Sequence, residues 1–114
     1  MSLMTARATG AAAVAMVVAP GYQFQLEEIQ IHLSAAGGAG NLTVTLDGGA
    51  VAAVYDTVLM TQDMTAITDL VWVPARPLRF TYTDGVPATS DHLDLVYANA
   101  NNRTYGITVL YSPI

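Results

Sequence analysis

From residue 20 onward the chain alternates apolar and polar positions with a period of two. Phe24 and Leu26 lead into Ile29, Ile31 and Leu33, with Glu28, Gln30 and His32 between them, which predicts a half-buried strand over 27–33. A second strand is predicted where Leu42, Val44 and Leu46 alternate with Thr43, Thr45 and Asp47. The two are separated by Gly37-Gly38-Ala39-Gly40, and Asp47-Gly48-Gly49 signals the next turn. Residues 51–60 read as extended around Val54, Val58 and Leu59, and residues 70–73 as a buried strand ended by Pro74. Pro74 and Pro77 flank Ala75-Arg76, which predicts a loop or an edge position. Leu78, Phe80 and Tyr82 then alternate with Arg79, Thr81 and Thr83, and Leu93, Leu95 and Tyr97 with Asp94, Val96 and Ala98. After the polar turn Asn99-Ala100-Asn101-Asn102, Ile107, Val109 and Tyr111 oppose Thr108 and Leu110 in a last strand over 105–111.

No window of useful length carries a helical period. The Ala-rich stretch 11–19 is the one rival, but Val14, Val17 and Val18 and its lack of charge make it a poor helix. It is expected to be a strand over 13–19. Arg7 followed by this apolar stretch looks superficially like a secretion signal; it is too short to span a bilayer and is expected to be retained, without cleavage. The prediction is an all-β fold: a single antiparallel β-sandwich, jelly-roll-like, of about eight strands. An N-terminal arm is expected over 1–12 and the sandwich domain over 13–114.

Composition narrows the function. The 114 residues suffice for one domain. Charged residues make up 11%, less than half the usual share of about 25%. The four basic residues are all arginines, Arg7, Arg76, Arg79 and Arg103, against nine acidic ones, for a net charge of -5. Four scattered arginines cannot neutralise a row of phosphates, so no nucleic-acid partner is expected. The absence of cysteine removes thiol chemistry and zinc fingers, and the absence of lysine removes Schiff-base chemistry and the phosphate-binding P-loop. Disorder is excluded by 53% hydrophobic residues and a mean hydropathy of +0.40. So little charge on a chain of this size favours self-association or docking over a free monomer.

Candidate chemistry is thin. His32 and His92 both fall on the polar phase of strands and are expected to be exposed rings with nothing to activate them. Ser34 and Ser90 lie in no nucleophile turn. Asp84, Asp91 and Asp94 fall around one loop and could offer oxygens to Ca²⁺, but their spacing fits no EF-hand, and turn-forming roles are preferred. No catalytic residue, cofactor or metal is therefore expected. Trp72, Tyr82, Tyr97, Tyr105 and Tyr111 raise the question of a sugar-stacking face. Tyr82, Tyr97 and Tyr111 share phase with aliphatics, so core or interface positions are preferred for them. Trp72, between Val71 and Val73, belongs to a strand apolar on both phases, for which a cover on both faces is expected, by a loop or another subunit.

Three stretches carry a family likeness: YQFQLEEIQIHL at 22–33, YDTVLMTQDMT at 55–65 and NANNRTYG at 99–106. With the lysine-free composition and the Ala/Thr-rich N-terminus, the chain beyond residue 20 resembles the small β-sandwich accessory proteins of tailed-bacteriophage virions, the head decoration or cement proteins. The resemblance implies a non-enzymatic subunit on the capsid surface, made in the host cytoplasm. It implies homotrimers that clamp joints between major capsid proteins through loops and a terminal arm. Candidate contacts are Ser2, Leu3, Met4 and Arg7 in the arm, with Trp72, Arg76, Arg79, Asn101 and Arg103 on the sandwich. Another position in the virion (neck, tail or fibre) and a carbohydrate-binding module are the alternatives; no membrane partner is expected.

Overall fold

The computed structural model describes residues 3–114. Strands β1 (Met4–Gly10), β2 (Val14–Val18), β3 (Phe24–Leu33) and β4 (Asn41–Asp47) lead to a short 3₁₀ turn, Ala53–Tyr55. Strands β5 (Thr57–Asp63), β6 (Asp69–Trp72), β7 (Leu78–Phe80), β8 (His92–Tyr97) and β9 (Tyr105–Pro113) follow, with a second 3₁₀ turn, Pro87–Thr89, before β8. They form two antiparallel sheets. The first has the order β1-β9-β3-β6, with β7 also paired to β3, and the second the order β2-β8-β4-β5.

The pairing explains this order. The chain is one long antiparallel ribbon doubled back at residues 48–56: β1 pairs with β9, β2 with β8, β3 with β6 and β7, and β4 with β5. Wrapping that ribbon puts alternate segments in opposite sheets, which is the jelly-roll topology predicted. Strands β6 and β7 are one broken edge strand. Leu78–Phe80 pairs with residues 24–26 of β3 and Asp69–Trp72 with residues 29–32, while residues 73–77, with both prolines, leave the ladder. Opposite this gap β3 carries a bulge between Leu26 and Glu28. The bulge accounts for the phase slip in the sequence, where buried positions step by two except from Leu26 to Ile29.

The inner faces meet in one core. Phe24, Leu26, Ile29, Ile31, Leu33, Phe80, Ile107, Val109 and Tyr111 come from the first sheet, and Val14, Val18, Leu42, Val44, Leu93, Leu95 and Tyr97 from the second. Its aromatic end lies wholly in the first sheet. Phe24 stacks on Phe80 at 4.5 Å between ring centroids and meets Tyr111 edge-on at 5.5 Å. Gly37 lies where no side chain fits, since a Cβ there would run into the Met64 backbone carbonyl oxygen.

Three expectations are corrected. Residues 4–10, expected within an arm, pair along their whole length with β9 as the edge strand β1, where Ala6 and Ala8 stand beside Val109 and Ile107 and Ala6 packs against the core. Extended structure at 51–60 is replaced by the turn Ala53–Tyr55 and a strand starting at Thr57, held by a hydrogen bond from the Gly48 amide to Asp56 Oδ1 at 2.7 Å. Among the described residues no loop covers the outer side of β6: Trp72 packs inward against the core, while Val71 and Val73 are exposed.

Candidate functional surface

The two outer faces differ in chemistry, and register places their residues. On the second sheet Val17 stands opposite Asp94, Asp94 opposite Thr45, and Thr45 opposite Val58. The next row runs Ala15, Val96, Thr43, Thr61. Val17, Val58 and Val96 are 60%, 59% and 54% exposed. With Ala15 and the threonines they make a largely apolar field across all four strands, interrupted by Asp94. Past one end of it the 48–56 turn exposes Val51, Val54 and Tyr55, the middle one at 85%. No arginine lies on this sheet.

The first sheet turns outward Arg7, Thr108, Gln30 and Val71 in one row and Thr9, Gly106, His32 and Asp69 in the next. His32 Nδ1 lies 2.7 Å from Asp69 Oδ1, with both side chains about two-thirds exposed (67% and 70%). Gln30 donates to Glu28, and Arg79 stands beside Gln25. All of this is solvated charge of the usual kind.

The sequence-predicted contact residues do not converge on one patch. Ser2 lies outside the described residues. Leu3 and Met4 are exposed at the start of β1, and Arg7 is on the outer face of the same edge strand. Trp72, Arg76 and Arg79 belong to the opposite edge of that sheet, with Trp72 turned inward. Asn101 and Arg103 lie in the turn between β8 and β9, and Arg103 donates through Nε to the Ala36 carbonyl oxygen at 2.9 Å. That turn is an internal clamp. Its centre is the buried Asn99, whose Nδ2 donates to the Ala12 and Arg103 carbonyl oxygens and whose Oδ1 accepts from the Arg103 amide. Asn99 has φ of 53°, a left-handed conformation that asparagine tolerates better than most residues.

The titratable groups brought together are on the second sheet. Asp47 and His92 are register partners on β4 and β8, and Asp94 is two residues from His92 on the same face. His92 Nε2 lies 3.1 Å from Asp47 Oδ2 and 3.3 Å from Asp94 Oδ1. The imidazole, expected to be exposed, is only 25% so. Asp94 Oδ1 is shut off from solvent and accepts no hydrogen bond, since the His92 contact lacks the required geometry. Burial, and next the sharing of a proton with Asp47, push the Asp94 carboxyl up to about 6. The Gly49 amide, first among its partners, holds Asp47 below the usual carboxylate value. Asp84 and Asp91 do not join Asp94: Asp91 Oδ2 accepts from the Thr81 amide and hydroxyl, a turn-forming role. The signal for the true cluster was His92-x-Asp94 on one polar phase; its third member, Asp47, required the β4–β8 pairing.

One further concavity borders this cluster. A cleft of about 220 Å³ is lined by Pro20, Tyr22, Tyr82, Pro87, Asp91 and His92, among others.

No family model matches the chain, and no curated protein matches it either. Among solved structures, the chain is similar over 96% of its length to 31% of an infectious bursal disease virus chain, with 15% identity and a TM-score of 0.39. It is similar over 82% of its length to 17% of the Clostridium thermocellum endo-1,4-beta-D-xylanase 10B modules complexed with xylohexaose, with 11% identity and a TM-score of 0.39. A Bacillus endospore appendage protein from disulfide-linked pili matches over 99% of this chain and 90% of its own, with 11% identity and a TM-score of 0.34. The chain thus spans under a third of the viral and xylanase chains. These are distant likenesses of a β-sandwich and assign no family.

Proposed function

We propose that this chain is a non-enzymatic virion structural protein, a decoration subunit that joins copies of itself and clamps neighbouring major capsid proteins at the particle surface. The observation that carries the proposal is the outer face of the second sheet, where Val17, Val58 and Val96 stand exposed in a field without a cation. Such a face loses little on desolvation and gains from burial, at roughly 25 cal/mol per Å² of apolar surface.

Charge placement favours a homotrimer over a two-fold dimer. The second sheet's outer face carries only carboxylates and one imidazole, whereas Arg7, Arg76 and Arg79 lie on the first sheet and its edges. Two copies meeting through the second sheet by a two-fold axis would set aspartate against aspartate. A head-to-tail contact sets Asp63, on the edge strand β5, against the arginines of the next copy, and gives a closed ring where the rotation between copies closes, the trimer being the ring proposed. Light scattering on the purified protein tests this: three times the chain mass is expected at dilute and moderate concentration, falling to the monomer in the double variant Val17→Lys/Val96→Lys. A monomer at every concentration ends the self-assembly part of the proposal and leaves docking of single copies to be tested on purified capsids.

The carbohydrate-binding alternative has moved from Trp72, now placed inside, to the cleft between Tyr22 and Tyr82. At about 220 Å³ that cleft is below the usual range for small-molecule sites, about 300–1,000 Å³, and would hold at most one sugar ring. A glycan array in which wild type gives signal and Tyr82→Ala does not would favour it; no signal disposes of it.

A further inference from the structure

Of the groups the assembly proposal leaves unused, the Asp47–His92–Asp94 cluster carries an inference furthest. We propose that it is a binding site for a divalent transition-metal ion, Zn²⁺ in the first instance, with Asp47, His92 and Asp94 as its three protein ligands.

The donor set and its spacing are the first argument. One ligand atom from each of the three side chains falls within 4.8 Å of the others, and the His92 Nε2 contacts are 3.1 and 3.3 Å. Zinc binds imidazole nitrogen and carboxylate oxygen at about 2.0–2.2 Å in tetrahedral geometry, which sets ligand atoms roughly 3.3–3.5 Å apart. The two contacts to His92 Nε2 already stand close to that spacing, and the third pair lies within 4.8 Å. Three ligands from two paired strands also make a rigid frame, since Asp47 and His92 are direct register partners and Asp94 is the next residue on the same side of β8. Calcium and magnesium are poorer fits: both are held by oxygen sets of six or more, and an imidazole at the centre favours the softer metals.

A second, independent observation is Asp94 Oδ1. It is inaccessible to solvent and has no hydrogen-bond donor, a state that costs free energy unless something positive meets it. Of the neighbouring side chains His92 Nε2 faces it at 3.3 Å, and is positive only when the ring is protonated. The four arginines sit on β1, on β7, in the 73–77 loop and in the β8–β9 turn, and Asp56, the nearest further charge acting on Asp94, is itself a carboxylate. Two carboxylates on one imidazole leave a negative excess that a divalent cation neutralises.

The test uses the tag-free full chain, stripped with a chelator, and ZnCl₂ and CoCl₂ as probes. Thermal melts are read with and without Zn²⁺, titration calorimetry gives stoichiometry, and Co²⁺ reports coordination through its visible absorption. The expected result is one ion per chain, a raised melting temperature with Zn²⁺, and the intense visible bands of tetrahedral Co²⁺. Asp47→Asn, His92→Gln and Asp94→Asn should each weaken binding by about tenfold or more, since even an outer-shell change does as much. His32→Gln, which removes the exposed imidazole of the first sheet, should leave binding unchanged. Failure of Zn²⁺ to bind the wild type overturns the proposal, as does binding that survives Asp94→Asn and Asp47→Asn but is lost in His32→Gln. Should one variant fail to fold, the other two carry the same comparison. Light scattering on the same samples, with and without Zn²⁺, separates this site from the assembly proposal: one ion per chain bound through Asp47, His92 and Asp94 supports the site whatever the mass, because association by itself also moves a melting temperature.

Discussion

The two sheets share one core and one ribbon, yet their outer faces follow opposite rules. The first sheet spreads its polar groups in the open: His32 beside Asp69, Gln30 beside Glu28, Arg7 and Arg79 in water. The second exposes valines and threonines and gathers its titratable groups into one half-buried knot, Asp47, His92 and Asp94. Exposed pairs of the first kind contribute about 0–1 kcal/mol and can be changed with little consequence. Half-buried groups of the second kind shift one another's proton affinity and are sensitive to any change of partner. A face that keeps its charge this way and leaves its apolar groups uncovered is the one on which the assembly proposal rests.

The largest effect is expected where the two sheets meet. Phe80 belongs to the short β7, which holds the broken edge of the first sheet by its stack on Phe24. Phe80→Ala should cost about 3–5 kcal/mol in chemical denaturation. Leu95→Ala, at the same depth in the second sheet but without an aromatic partner, should cost about 2–5 kcal/mol. The sharper readout is local: Phe80→Ala should speed amide exchange in residues 78–80 and 24–26 well beyond its global effect, which Leu95→Ala should not do. Equal exchange in the two variants would mean that the aromatic end of the core has no special part in holding the split strand.

Next in size is the contrast between the faces themselves. Val17→Lys/Val96→Lys on the second sheet should abolish self-association seen by light scattering while changing the stability of the fold by no more than about 0.5 kcal/mol. Gln30→Lys/Thr108→Lys on the first sheet, a change of the same charge, should leave the mass untouched. If the first pair is silent and the second dissociates the oligomer, the contact surface has been assigned to the wrong sheet.

How much of this was legible in the sequence follows from the range of each interaction. Alternation is local, so the strands, the all-β class and the edge at Pro74–Pro77 could be read directly. Even the β3 bulge was visible, as the step from Leu26 to Ile29. The conversion of the expected arm into β1 was not: Met4–Gly10 has a weak pattern, and only its pairing with β9, about a hundred residues away, gives Ala6 and Ala8 something to cover. Trp72 misled because Val71 and Val73 are as apolar as the core, and phase alone cannot say which side faces in. The knot of Asp47 with His92 and Asp94 depends on strand order. Asp84 and Asp91 were nearer in sequence to Asp94, and the β4–β8 register chose Asp47 instead.

The smallest effect expected is also the most direct measure of the contrast, a pH-dependent stability difference between two aspartates. Asp94 titrates higher in the fold, at about 6, than its ordinary 3.8. Between those values the folded state therefore holds more protons than the unfolded chain. The stability this group contributes is complete below about pH 4 and is lost as pH rises to about 6. Asp47, held low, acts in the opposite sense: its contribution is present above its ordinary 3.8 and disappears on further acidification. Removing the Asp94 charge should thus stabilise the chelated protein at pH 7 and do nothing comparable at pH 4. With allowance for partial solvent screening, Asp94→Asn should add on the order of 1 kcal/mol at pH 7, or about 4 °C in Tm. Asp69→Asn, on the open face, should move Tm by less than half as much at either pH. Melts of both variants at the two pH values decide the matter: a pH-independent gain from Asp94→Asn would mean that the carboxyl titrates alike in the folded and the unfolded chain, and the second sheet would then handle its charge no differently from the first.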